Sequence, residues 1–127
     1  FNGTVVLGFG RGKQLGSPTA NIRLLDPKKL VPQVGIYAVR IMVRGTRYGG
    51  MMSIGHNPTF GDAQERTIEV NIFDFDMDIY DDTVTVRCLQ RTRSEKKFAS
   101  VDDLIAEMGN DKRMIRTIIE QHTQLSS

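Results

Sequence analysis

The chain has 127 residues, with 17 Lys and Arg against 15 Asp and Glu and a net charge of +2. That length fits one domain, the 39% hydrophobic content suffices for one core, and the near-balanced charge excludes nucleic-acid binding by bulk electrostatics, leaving only a local basic patch. A single cysteine, Cys88, excludes an internal disulfide or a paired-cysteine metal or redox centre, and no apolar run has membrane-spanning length.

Residues 4–7 form a short apolar run ending at Gly8, which predicts a first strand. Gly8, Gly10, Gly12 and Gly16 follow, interleaved with Arg11 and Lys13. Closely spaced glycines let backbone N–H groups converge on one point, which suits a phosphate, and they equally suit an ordinary turn. The spacing matches neither a P-loop nor a dinucleotide fingerprint. After Ser17 and Pro18, residues 20–25 alternate Ile22 and Leu24 with Asn21 and Arg23, a second strand. Residues 26–32 read as a loop with two prolines. Residues 35–44 place Tyr37, Val39, Ile41 and Val43 on one face and Arg40 and Arg44 on the other. Arg44, Gly45 and Thr46 then make a tight turn into a strand over 48–54.

Residues 55–66 lack periodicity and read as a long mobile loop. Residues 67–75 alternate again, with Ile68, Val70 and Ile72 opposite Glu69, Asn71 and Phe73. Asp81 and Asp82 turn the chain into a sixth strand over 83–90, where Cys88 reads as a small buried hydrophobe. Ser100 with Asp103 resembles a capping box for a helix carrying Val101, Leu104, Ile105 and Met108. Gly109, Asn110 and Asp111 predict an interruption, with Asp111 capping a second helix striped by Met114, Ile115, Ile118 and Ile119. Six short strands and terminal helices predict a mainly β fold. An antiparallel barrel is favoured over a sandwich because closure leaves no edge strand.

Three places could carry chemistry. Thr19 and Asn21, two apart on a strand, point to one face, where a hydroxyl and an amide oxygen could share Mg²⁺ or simply satisfy a turn after Pro18. Glu69, a carboxylate in mid-strand, is either a solvated residue or a general base for an alcohol. The charged run from Arg93 through Glu95 to Phe98 reads as a solvated surface in which Phe98 is the anomaly, packing either on the barrel or against a flat ligand ring. His56 and His122 form no cluster suited to zinc. Aromatic residues interspersed with arginines keep a non-catalytic nucleic-acid-binding barrel as the alternative.

The order of these motifs resembles the riboflavin kinase family, in bacteria usually the carboxyl-terminal module of a bifunctional riboflavin kinase/FAD synthetase. The likeness spans nearly the whole chain. It rests on the opening strand and glycine loop to Gly12, the Pro18-Thr19-Ala20-Asn21 signature, Gly35-Ile36-Tyr37, Ile54-Gly55, and Asn57-Pro58-Thr59-Phe60. Residues 69–75, Asp78-Ile79-Tyr80, and the run from Arg93 to Phe98 complete it. Ser17 stands where members commonly have Phe, and Asn71 where many have His.

The resemblance implies a six-stranded antiparallel Greek-key barrel with carboxyl-terminal helices, residues 1–127 forming one riboflavin kinase domain. It implies ATP phosphates held by Gly8, Gly10, Arg11, Gly12, Lys13 and Pro18. Mg²⁺ would sit on Thr19 and Asn21, and Glu69 would be the base toward the ribityl hydroxyl of riboflavin. Arg93, Glu95 and Phe98 would lie on the flavin side, with a loop at Asn57, Pro58 and Thr59 closing over the reaction. Riboflavin and ATP are the expected partners, FMN and ADP the products, with neither nucleic acid nor membrane involved. The Phe1 start and the lone cysteine point to a piece of a longer cytoplasmic protein, and the resemblance implies an FMN adenylyltransferase module in the full-length chain.

Overall fold

The structure, a computed structural model, describes residues 1–6, 19–25, 33–56, 66–75, 77–94 and 98–126. Among these, six strands and one helix run in the order β1 (Asn2–Val6), β2 (Thr19–Leu24), β3 (Gly35–Val43), β4 (Thr46–His56), β5 (Arg66–Ile72), β6 (Thr83–Arg93) and α1 (Val101–Ser126). The strands close into a barrel in the order β1-β2-β5-β4-β3-β6, every neighbour antiparallel. β3, β4 and β5 are consecutive neighbours and β6 returns beside β3, which is a Greek key.

Alternation drives closure. Val39, Ile41, Val43, Met52, Ile54, Val70, Ile72, Val84 and Val86 are each at most 1% exposed and fill the interior. The β3–β4 turn is the two-residue Arg44-Gly45, with φ of 50° and 81°, and Val43 pairs directly with Thr46. Positive φ at both positions gives the primed turn whose twist suits a hairpin, and glycine adopts it without strain. Asp81, at φ 70°, turns the chain before β6. Several strand limits differ from the alternation, β4 running on through Gly55 and His56 and β5 beginning at Arg66, all three expected in the loop, whose residues 57–65 lie outside the described residues. β5 ends at Ile72, where Phe73 and Asp74 (φ 55°) turn away, and β6 continues to Arg93.

A second core lies outside the barrel. Ile36 and Ala38 of β3, Met51 of β4 and Phe73 pack with Ile115 and Ile118 of α1. Gly49 lies under the tip of Ile119, where a Cβ would stand 2.7 Å from the Cδ1, and that side chain would have to turn aside.

The helix corrects the expectation of two. Val101–Ser126 is continuous through Gly109, Asn110 and Asp111. Ser100 does cap its start, its Oγ accepting the Asp103 N–H at 3.1 Å. Asp111 caps nothing. It is 2% exposed and occupies a core-facing position in the series Leu104, Met108, Asp111, Ile115, Ile118, whose helical spacing runs unbroken through the supposed interruption. Val101, Ile105 and Met114, expected in the apolar stripe, are 61%, 43% and 52% exposed.

Cys88 is likewise exposed where a buried hydrophobe was expected. Cys88 pairs with Val39 of β3. Partial desolvation from that side still pushes its thiol pKa up.

Candidate functional site

The outer faces of β2, β5 and β4 form the site. Ala20, Ile22, Ile68, Val70, Met52 and Ile54 point into the barrel, so the intervening residues of the same strands point out. Register then sets the outward residues side by side. Asn21 opposes Glu69, and Glu69 opposes Ser53. One row further along, Thr19 opposes Asn71, which opposes Met51. Directly opposed Cβ atoms lie about 5 Å apart, so the carboxylate of Glu69 has the amide of Asn21 on one side and the hydroxyl of Ser53 on the other.

Thr19, Asn21, Ser53 and Glu69 are all partly exposed, whereas Asn71 is buried at 3%. The Thr19 Oγ1 is buried and has no hydrogen-bond partner among the described residues. A buried hydroxyl without a partner carries a desolvation cost, which a bound group can offset. Thr19 and Asn21 supply hard oxygen donors, the chemistry magnesium prefers, and that ion keeps several of its own waters. Among the described residues there is no cluster of three or more His, Cys, Asp or Glu suited to holding a metal.

The first row reaches further. Ser53 pairs with Ile36 across β3–β4, and Ile36 with Arg93 across β3–β6. Arg93, Ile36, Ser53, Glu69 and Asn21 therefore follow one another across five adjacent strands. At about 4.8 Å per strand, Arg93 stands roughly 14 Å from Glu69, less where the barrel curves.

Arg93 is a built feature. Its Nε donates to Oδ1 and Oδ2 of Asp111 at 3.0 and 3.2 Å, and its Nη2 donates to Oδ2 at 2.7 Å. Nη1 donates to the Ser94 carbonyl at 2.9 Å, and Glu107 Oε1 lies 3.7 Å from Nε. Beside it, Arg91 Nη2 donates to the Val34 carbonyl at 2.8 Å and Thr92 Oγ1 to the Ile36 carbonyl at 3.1 Å. These bonds tie the end of β6 to the start of β3.

The structure thus brings Glu69, Thr19 and Asn21 onto one face, with Arg93 in the same row and Phe98 half-buried after it. Gly8, Gly10, Arg11, Gly12, Lys13, Pro18, Asn57, Pro58, Thr59 and Glu95 lie outside the described residues. Two neighbours escaped sequence reasoning. Ser53 is a short polar residue in an apolar strand, and only register shows that it flanks Glu69. Asp111 looked like a cap; its place in the apolar stripe was the available signal.

Comparison with known proteins points one way. The Flavokinase family, described as riboflavin kinase, matches residues 1–119. A bifunctional riboflavin kinase/FMN adenylyltransferase of Listeria monocytogenes is 44% identical over 90% of this chain, which spans 36% of that protein's length. A crystal structure of riboflavin kinase from Trypanosoma brucei superposes with a TM-score of 0.61 at 28% identity, covering 94% of this chain and 78% of that one. A Streptococcus pneumoniae protein described as a macrolide-efflux protein superposes with a TM-score of 0.84 at 44% identity, over 91% of this chain and 37% of its own. Among the described residues no helix is long and apolar enough to cross a membrane.

Proposed function

Because the chain belongs to the riboflavin kinase family, we propose that it transfers the γ-phosphoryl group of ATP to the 5′-hydroxyl of the riboflavin ribityl chain, giving FMN and ADP. One observation carries this reading: Glu69 lies in register between Asn21 and Ser53, one row from Thr19, on a partly exposed stretch of the barrel's outer face. An acid so placed can receive the hydroxyl proton while the hydroxyl oxygen bonds to the γ-phosphorus and the bond to the ADP oxygen breaks. The roughly 14 Å from Glu69 to Arg93 suits a substrate with its reacting hydroxyl at one end and a flat ring at the other.

Thr19 and Asn21 would hold Mg²⁺, directly or through water, and the buried Thr19 hydroxyl, without a partner among the described residues, supports that fit. When bound, the ion supplies neutralisation of charge on the phosphate oxygens. Gly8, Gly10, Arg11, Gly12, Lys13 and Pro18 would hold the phosphates. Arg93, Glu95 and Phe98 would border the flavin, and Asn57, Pro58 and Thr59 would close over it and exclude water. Residues 1–127 form one kinase domain in this reading. The relatives' greater length supports an FMN adenylyltransferase module in the full-length protein; in this reading the protein acts in the cytoplasm, on riboflavin and ATP.

The test is chromatographic. Incubation with riboflavin, ATP and Mg²⁺ should yield FMN and ADP in equal amounts. No FMN from folded protein overturns the reading, and oligonucleotide affinity falling steeply with salt would favour a nucleic-acid-binding barrel instead. Asn21→Ala should raise the magnesium concentration needed for half-maximal rate by about tenfold.

A further inference from the structure

Asp111 is a carboxylate buried in the apolar stripe of α1, and an apolar side chain of similar volume there would serve stability at least as well. Its geometry fits another purpose. It takes three hydrogen bonds from one guanidinium, that of Arg93, whose side chain is only 15% exposed. Arg93 closes the cross-strand row that begins at Asn21 and Glu69, and it also holds the Ser94 carbonyl, where the chain leaves β6 toward Phe98. Arg93 therefore faces α1 with its charge already engaged by Asp111 and with Glu107 close by.

We propose that Asp111 is a positioning residue for flavin recognition: by clamping Arg93 it fixes the wall of the site formed by the end of β6 and α1. Resting on the riboflavin kinase reading, this assigns Arg93 a part in flavin binding through where it is held, and not as a bare cation offered to the ligand. Three bonds to one carboxylate fix the plane of the guanidinium as well as its position. Ile36, between Arg93 and Ser53 in the row, is 7% exposed and packs in the core that α1 makes with the barrel, so the wall at Arg93 is set by α1 and the end of β6 together. Glu69 is held by β2 and β4, neither of which the clamp touches.

The experiment compares Asp111→Asn with the unaltered protein in riboflavin binding, followed by flavin fluorescence, and in steady-state kinetics. The variant should raise the riboflavin Kd and KM by about tenfold while kcat and the ATP KM stay within about twofold. Unchanged riboflavin affinity in a folded variant overturns the proposal, as does a parallel rise in both KM values, which marks general loosening. Should Asp111→Asn fail to fold, Arg93→Lys decides. It keeps the ion pair but loses the planar fork, and riboflavin Kd should rise several-fold, an unchanged value overturning the clamp. If the unaltered protein binds riboflavin yet forms no FMN, the phosphoryl-transfer reading fails while the binding titrations still decide the role of Asp111.

Discussion

On the outer surface of the barrel, β3 presents Ile36 and Ala38 where β2 presents Asn21 and Thr19, although these four residues stand in the same two cross-strand rows. Between them the chemistry grades from one to the other: Ser53 then Glu69 in one row, Met51 then Asn71 in the other. The difference follows the helix. Where Ile115 and Ile118 cover the sheet its outward residues are apolar, and where no helix among the described residues lies over it they are polar. A sheet has one alternation but need not have one kind of exterior. The uncovered polar stretch of such a sheet is where a ligand can take the place a helix takes elsewhere.

The comparison can be broken most sharply at Glu69. Glu69→Gln should lower kcat by about 10²- to 10⁴-fold in single-turnover assays and leave the melting temperature unchanged. Near-normal turnover would remove the base from the open stretch. Ile115→Ala tests the covered stretch in the opposite sense. A fully buried isoleucine lost from the second core should cost about 2–5 kcal/mol in urea unfolding, with kcat retained within about twofold where the variant is folded.

Thr19→Val sharpens the contrast, because it should separate the two properties within one residue. Removing a buried hydroxyl that has no partner among the described residues should leave stability equal or raised by up to about 1 kcal/mol, while the rate at limiting Mg·ATP falls about tenfold. A loss of stability would mean that the hydroxyl belongs to the fold and not to the ligand.

The smallest effect lies at the boundary of the two stretches. Arg116 of α1 stacks 4.5 Å over the Phe73 ring and pairs with Asp74, holding that carboxyl below the usual carboxylate range. A carboxyl pKa depressed in the folded protein gives stability that is present above the unfolded value and lost as pH falls through the folded one. Asp74→Asn, which tolerates the positive φ there, should therefore be slightly less stable than the parent at pH 6. The gap should close as pH drops below the carboxylate range, read by urea unfolding across pH 2–6. A gap independent of pH would assign the difference to something other than the ion pair.

The barrel was legible because its signal is local. Tyr37, Val39, Ile41 and Val43 declare an inward face by period two, and Arg44-Gly45 declares the turn. Glu69 was legible as an anomaly in such a pattern. What escaped depended on partners distant in sequence. Asp111 reads as a helix breaker until Arg93, in another element, is seen beside it. Val101, Ile105 and Met114 are apolar at helical spacing, but spacing does not say which side of a helix the sheet occupies. Ser53 has no anomaly to show, since its significance is conferred wholly by the strand opposite.

The ring of strands is shut by its first and last members, Gly3 lying beside Val84. No interior exists until that seam forms, so the hairpin of β3 and β4 can appear early but gains no enclosed core alone. Assembly should therefore be all-or-none and slow for a chain of this size, the closing of so long a loop being the step that costs most entropy. A ribosome-bound chain would have to release β6 before the barrel beneath the substrate face could close.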